Sequence, residues 1–383
     1  MIYFDNAATT KASEEVAKKM TEMLCYNFGN PASVNKLGLQ VEKEIRKVTE
    51  ILSIGIHCKE NEIYYTSGGT EGDNWAIFGT AEGYQRQGKH LITTKIEHPA
   101  VKKPMEALEQ KGYEITWLSV DKKGKINLQE LQNAIRKDTI LVSIILINNE
   151  TGVIQDVAEI GKIIKQENKN TLFHVDAVQA FGKYDVDVKK MNIDLLTMSA
   201  HKINGPKGVG MLYKRQGLKV KPYILGGGQQ QGQRSGTENG AGVVGLGVAA
   251  DICFQNMKKN QQTVFEIKKT LLEGILNEIS DVQINGDTLE KSSPYVLNVT
   301  FKGLRSEVLL HALESKNIFV SAGSACDSKK KVGSSVLTAM GLPFEEIEGA
   351  VRFSFCQYNT IEEAKQCLEQ LKEIVPFLRK YNR

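Results

Sequence analysis

Lys202 stands at the end of a short apolar run in the stretch DLLTMSAHKINGPKGVG, residues 194–210. Leu195, Leu196 and Met198 read as a buried strand running into Ser199, His201 and Lys202, and a turn rich in glycine and proline follows (Gly205, Pro206, Gly208, Gly210). A lysine ordinarily keeps its ammonium in water, and desolvation lowers its pKa towards the value that an imine-forming amine needs. By itself the stretch fits an exposed loop lysine equally well. The decision falls to the other strand ends.

Four of these also carry candidate groups. The run at 63–66 leads into SGGTEGDN, where turn amides and the Thr70 hydroxyl suit a phosphate held at a helix N-terminus. The run at 90–94 leads into IEHPA, with His98 at the turn. LVSIILI leads into NNETG with two neutral amides, Asn148 and Asn149, and TLFHV leads into DAVQ, with Asp176 at the strand end and Gln179 one turn later. Each has a purely structural explanation when taken alone. Together they offer a phosphate cradle, an imidazole, amides, a carboxylate and a lysine, and that set suits pyridoxal 5′-phosphate. In such a site the lysine carries the Schiff base, and the carboxylate keeps the ring nitrogen protonated so that the ring can accept electrons.

The C-terminal part adds two residues. Cys326 lies in SAGSACDSKKK, where Lys329–Lys331 favour a thiolate and Asp327 opposes it. The other cysteines (Cys25, Cys58, Cys253, Cys356, Cys367) fall in or near apolar or helical patterns, where core packing is the better account. Arg352, on the apolar run VRFSF, is either a paired structural arginine or a bidentate grip on an amino-acid α-carboxylate.

The elements that must position these groups follow from periodicity. Apolar runs at 63–66, 90–94, 114–120, 141–147, 171–175, 194–198 and 208–213 alternate with helical patterns, among them 72–87, 99–111, 128–136 and 157–167. Alternation of this kind predicts an α/β fold with a mostly parallel sheet covered by helices, and ligands at the carboxyl ends of its strands. Helices are also expected over 14–25 and 38–52. Beyond residue 236 the pattern becomes a long helical region, 241–279, with a break expected near Asn260. Strand YVLNVTF, helix SEVLLHALESK, strands IFVSA and VRFSF and a last helix over 361–380 come next, a smaller α+β unit. The expected division is a large domain over 13–255 and a small domain over 256–383, which the arm at 1–12 returns to join.

Bulk properties exclude other classes. A chain of 383 residues exceeds one small core, and a net charge of +4, from 49 basic and 45 acidic side chains, is too small to argue for nucleic acid. No N-terminal apolar leader and no long apolar span is expected, and no cysteines fall in CxxC pairs. A reducing cytoplasm, no membrane and no resident metal are the expectations.

From YFDNAATT through FGNPAS, TSGGTEGDN, EHPAV, NNETGVIQD, HVDAVQ, SAHKINGPKGVG and RSGTEN to SAGSAC and VRFSF, the chain resembles the cysteine desulfurases of the NifS/IscS type. These are pyridoxal-phosphate enzymes of fold type I, in aminotransferase class V. The likeness covers nearly the whole chain. It implies conversion of L-cysteine to L-alanine, with the sulfur left as a persulfide on Cys326. Delivery would then go to an acceptor for iron–sulfur cluster assembly or tRNA thiolation, with Cys326 at most a transient iron–sulfur ligand. Lys202 would be the Schiff-base lysine, Asp176 the pyridinium partner, Gln179 a partner of the ring hydroxyl, and His98 a catalytic group that stacks on the ring and helps with proton transfers. Gly69, Thr70, Ser199 and His201 would hold the phosphate, joined by Thr237 from a neighbouring subunit, which implies a homodimer. Asn149 and Arg352 would bind substrate, and Asn149 would also contact the cofactor. SAGSAC resembles the first, long-loop group of the family, although Asp327 and Lys329–Lys331 depart from its pattern and no long C-terminal tail follows the last helix. The rivals are another pyridoxal-phosphate reaction, such as an aminotransferase or a selenocysteine or cystine lyase, and a silent scaffold that retains the cofactor.

Overall fold

The apolar runs assemble into one seven-stranded sheet in the computed structural model, which describes residues 1–322 and 333–381. In chain order the first part comprises β1 (Ile2–Tyr3), α1 (Glu14–Cys25), α2 (Lys36–Gly55), β2 (Ile63–Thr66), α3 (Gly69–Tyr84), β3 (His90–Thr94), α4 (Pro99–Gln110) and β4 (Glu114–Leu118). It continues with α5 (Leu128–Ala134), β5 (Thr139–Ile145), α6 (Val157–Glu167), β6 (Leu172–Asp176), β7 (Leu195–Ser199) and β8 (Gly210–Lys214). The sheet runs β2-β8-β7-β6-β5-β3-β4, and β8 is antiparallel to both its neighbours while the other pairs are parallel. The carboxyl ends of β2, β3, β5, β6 and β7 therefore meet along one edge. Every residue of β5, TILVSII, is buried, as expected of a strand covered on both faces. On one face Val157, Ile160, Phe173 and Leu196 pack with α1 and α2, and on the other Trp75 and Ile77 of α3 and Val101 and Met105 of α4 cover Leu91 and Leu141.

The remainder comprises α7 (Gly240–Glu278), β9 (Val282–Ile284), β10 (Val296–Phe301), α8 (Ser306–Glu314), β11 (Ile318–Phe319), β12 (Ser321–Ala322), α9 (Ser335–Ala339), α10 (Phe344–Glu348), β13 (Ala350–Ser354) and α11 (Ile361–Tyr381). A second sheet, β12-β13-β10-β9, is antiparallel throughout. Its core draws Val264, Ile267, Leu271 and Ile275 from the second half of α7, whose first half gives Val243, Leu246 and Ala250 to the larger core.

Three expectations need correction. The helix does not break near Asn260: α7 is continuous from Gly240 to Glu278. The polar stretch KKNQQ interrupts the apolar face, but it holds neither proline nor glycine, so the backbone ladder survives where the helix passes between the two cores. IFVSA is not one strand, because Ile318–Phe319 pairs with the N-terminal arm and Ser321–Ala322 pairs with β13. Cys25 is exposed at the end of α1 rather than packed, whereas Cys253, Cys356 and Cys367 are buried. Among the described residues, no helix is long and apolar enough to cross a membrane.

The arm ties the two cores together. β1 lies parallel to β11, and Phe4, fully buried, meets the Phe355 ring edge-on at 5.0 Å. Ala7 N–H donates to the Ser354 hydroxyl (2.8 Å), and three residues later the Thr10 hydroxyl donates to the His201 carbonyl (2.9 Å). Phe4→Ala should lower unfolding stability by about 3–4 kcal/mol, measured by denaturant titration, because its pocket cannot collapse.

Candidate active site

The strand ends enclose a cavity of about 420 Å³. Its walls include Gly69 and Thr70 after β2, His98 after β3, Asn149 after β5, Asp176 and Gln179 at and after β6, and Ser199, His201 and Lys202 at and after β7, with Arg352 reaching in from β13 of the second sheet. Two other predicted residues stand apart from this set for different reasons. Thr237 is exposed on the loop before α7 and does not line the cavity of its own chain. Cys326, with Asp327 and Lys329–Lys331, lies outside the described residues.

The phosphate end is built by backbone. Helix α3 begins at Gly69, and its N-cap, Gly68, has no side chain with which to satisfy the first-turn amides. Gly68 has φ 152°, which only glycine adopts readily, and a Cβ built there would sit 3.6 Å from the Ser199 hydroxyl. At Gly69 a Cβ would come within 2.8 Å of Val178 Cγ2, so any larger residue would crowd this cradle. Free amides, the Thr70 and Ser199 side chains and the bare glycine surface together fit a phosphate.

Lys202 Nζ donates to the Ala7 and Ala8 carbonyls at 2.5 and 2.7 Å, so the arm touches the lysine directly. Desolvation, reinforced by the charges of Arg352 and Lys183, pulls its pKa down to about 8, while Asp5 and Asp176 oppose the fall. Asp176 accepts from Val178 N–H at 2.9 Å, and burial pushes its pKa up to about 6 against the pull of Lys202. A buried carboxylate placed under this strain is relieved by a cationic partner, such as a protonated pyridine nitrogen. The donor set and the cradle thus fit pyridoxal 5′-phosphate. His98 caps α4 through Nδ1, which accepts from Ala100 N–H at 3.1 Å and leaves the ring proton on Nε2. Burial and Lys202 push its pKa down to about 4, so it is neutral near pH 7.

Arg352 donates from Nη1 to the Asn149 carbonyl (3.0 Å) and from Nη2 to Asp5 (2.8 Å), while its buried Nε has no partner among the described residues. That leaves an N–H for an incoming carboxylate. The cavity also holds acids that sequence reasoning passed over: Asp5, Asp73, Glu97 and Glu150. Each adjoins a recognised motif, since Glu97 precedes His98, Glu150 follows Asn149 and Asp73 lies one helical turn beyond Thr70. Nothing in the linear pattern marked them as buried. Burial lifts Glu97 to about 8 and Glu150 to about 7. Asp73 rises well above its ordinary value and His174, 3.5 Å away, falls to about 3, so that contact joins two neutral groups.

The class-V aminotransferase model matches residues 2–367. The chain is 45% identical over 378 residues to a cysteine desulfurase IscS of Methanosarcina thermophila, covering 99% of this chain and 93% of that one. It is 43% identical over 375 residues to a cysteine desulfurase IscS of Clostridium botulinum, covering 98% and 94%. Among solved structures, a NifS-like protein superposes with TM-score 0.93 at 37% identity, covering 98% of this chain and 100% of that one. A structure described as SspA in complex with cysteine gives TM-score 0.83 at 34% identity, covering 94% and 100%. The chain belongs to the class-V aminotransferases, pyridoxal-phosphate enzymes of fold type I, and within them to the NifS/IscS-type cysteine desulfurase family.

The raised acids set a pH signature. A carboxyl whose folded pKa exceeds its unfolded value adds stability below the unfolded pKa and loses it as pH rises through the folded one. Glu97, at about 8 against an ordinary 4.5, should therefore destabilise the cofactor-free protein progressively across that interval. Glu97→Gln keeps the acceptor for Thr94 and Ile145 without the charge. Relative to wild type it should gain on the order of 2 kcal/mol between the ends of the interval, read from denaturant midpoints in a pH series.

Proposed function

We propose that the chain is a cysteine desulfurase that converts L-cysteine to L-alanine and carries the sulfur as a persulfide on Cys326. The observation that supports this most is a single cavity joining a lysine of depressed pKa, a buried aspartate, a helix N-terminus and an arginine with an unpartnered buried N–H. When bound, pyridoxal 5′-phosphate supplies an electron sink for negative charge developing on the substrate.

The chain's own residues would divide the work. Gly69, Thr70, Ser199 and His201 would hold the phosphate, and the Asp176 carboxylate would stabilise a protonated ring nitrogen. Gln179 would bond the ring hydroxyl, and His98, a neutral imidazole near pH 7, would stack on the ring. Arg352, braced by Asp5 and the Asn149 carbonyl, grips the substrate α-carboxylate through its free N–H. Lys202, as a free amine, would move the Cα proton as a base. The Cys326 thiolate attacks the substrate sulfur: an S–S bond forms, the C–S bond breaks, and its electron pair remains on the substrate carbon, which takes a proton to become the methyl of alanine.

A homodimer completes the site. Thr237 lies exposed and off its own chain's cavity, and Leu24, Tyr26, Phe28 and Val34 expose an apolar surface along α1 and the loop that follows it. A second copy would cover that surface, and its Thr237 would join the phosphate cradle. The acceptor of the sulfur would be an iron–sulfur scaffold or a tRNA-thiolation enzyme, in a cytoplasmic setting that keeps Cys326 reduced.

Cys326→Ala should retain the yellow cofactor colour while alanine formation from cysteine falls by at least roughly a hundredfold. Wild-type protein treated with cysteine should gain the mass of one sulfur on the peptide containing Cys326, and the variant should not. Full turnover in Cys326→Ala would remove the nucleophile assignment. Lys202→Ala should lose the imine colour altogether, and an unchanged spectrum would exclude Lys202.

A further inference from the structure

Behind the active-site lysine lies a second lysine with no counter-charge among the described residues. Lys183 sits on the turn after β6, four residues beyond Gln179, and is 7% exposed. With Lys202 it lines a void of about 10 Å³, shared with Cys253, Tyr295 and Cys356. Its Nζ donates to Gln179 Oε1 at 3.4 Å and stands 4.9 Å from the centre of the Tyr295 ring. Among the described residues it forms no ion pair. The neighbouring thiols do not neutralise it, because burial raises the pKa of both Cys253 and Cys356. A buried ammonium matched only by an amide carbonyl and an aromatic face costs stability compared with an apolar side chain of similar length. Its usefulness must lie elsewhere.

Two consequences follow from where it sits. Gln179 accepts from Lys183 through Oε1 and donates through Nε2 to the Ala7 carbonyl at 3.0 Å, so the two contacts together fix which way the amide faces. The charge of Lys183 is also unscreened by any partner and falls on its neighbours in a dry region, where charge–charge interactions are strong. We propose that Lys183 is a positioning residue of the cofactor site, a buried cation that orients the Gln179 amide and opposes the gain of a second positive charge on Lys202. This inference rests on the assignment of Lys202 as the imine-forming lysine.

The groups facing Lys202 come from every element around it: Arg352 from β13, Asp5 from the arm, Asp176 from β6, His98 from the start of α4, His201 beside it and Lys183 behind it. The two acids favour the ammonium, Arg352 and Lys183 disfavour it, and the histidines are neutral near pH 7. Burial holds Lys183 itself at about 8, so it is mainly charged at pH 7. Removing that charge should make Lys202 more basic and shift its reactive, free-amine form to higher pH.

The test uses full-length protein stripped of cofactor and resupplied with pyridoxal 5′-phosphate over a pH series, following the rate at which the imine absorbance appears. Lys183→Met should move the midpoint of that pH profile upward and slow capture near neutral pH roughly threefold. Lys183→Gln retains an N–H donor but no charge and should show the same shift, whereas Lys183→Arg should keep the wild-type midpoint. A merely structural lysine would change yield or melting temperature and leave the midpoint alone. An unshifted midpoint in whichever of the two uncharged variants folds, judged by circular dichroism, overturns the proposal. Imine formation by Lys202→Ala would instead point to failure of the underlying cofactor assignment.

Discussion

Positive charge held in a dry cavity is the constraint on which this site depends. Lys202 and Arg352 converge there with the amide end of α3, and Lys183 lies behind Lys202 at a separate small void. Low dielectric penalises any charge that lacks a partner, so the lysines are driven towards losing protons and the surrounding acids towards keeping them. Glu97, Glu150 and Asp73 follow that rule. Asp176 rises with them, to about 6, against the opposing pull of Lys202. What is left is a pocket with surplus positive potential at two places, the helix N-terminus and the free edge of Arg352, a pattern suited to a phosphate and a carboxylate.

The architecture delivers these groups from separate cores. Five strand ends of the large sheet supply the lysine, aspartate, imidazole and phosphate cradle, while β13 of the second sheet supplies the arginine. Two chain segments hold the sheets in register. Helix α7 buries its first half in one core and its second half in the other. The N-terminal arm begins as a strand against β11, anchors Phe4 beside Phe355 and ends against the segment carrying His201 and Lys202. Between these anchors the arm presents Asp5 to Arg352 and the Ala7 and Ala8 carbonyls to Lys202. It is therefore a wall of the site as well as a strap between the cores.

Much of this was already written along the chain. Apolar runs bounded by turns marked β2 and β3 to the residue and the other sheet strands to within about two positions, because buried parallel strands have few alternatives to continuous hydrophobicity. The residues closing those strands disclosed the cofactor chemistry, since a ligand at the carboxyl edge of such a sheet must be met by whatever follows each strand. Periodicity misled where packing overrode it: KKNQQ looked like a helix end, and IFVSA looked like one strand although its halves pair with different partners.

The linear order of residues thus carried the sheet, the strand-end motifs and the chemical identity of the groups that line the cavity, because these depend on local pattern and on residue type. Only the folded chain decided which of them share a dry space. Arg352 meets Asp5 across most of the length of the chain, and Lys183, unremarkable beside Gly182 in sequence, becomes a charge behind Lys202 with no ion-pair partner among the described residues. Protonation states belong to that second category. They are set by burial and by neighbours brought together through long-range packing, which residue spacing does not encode.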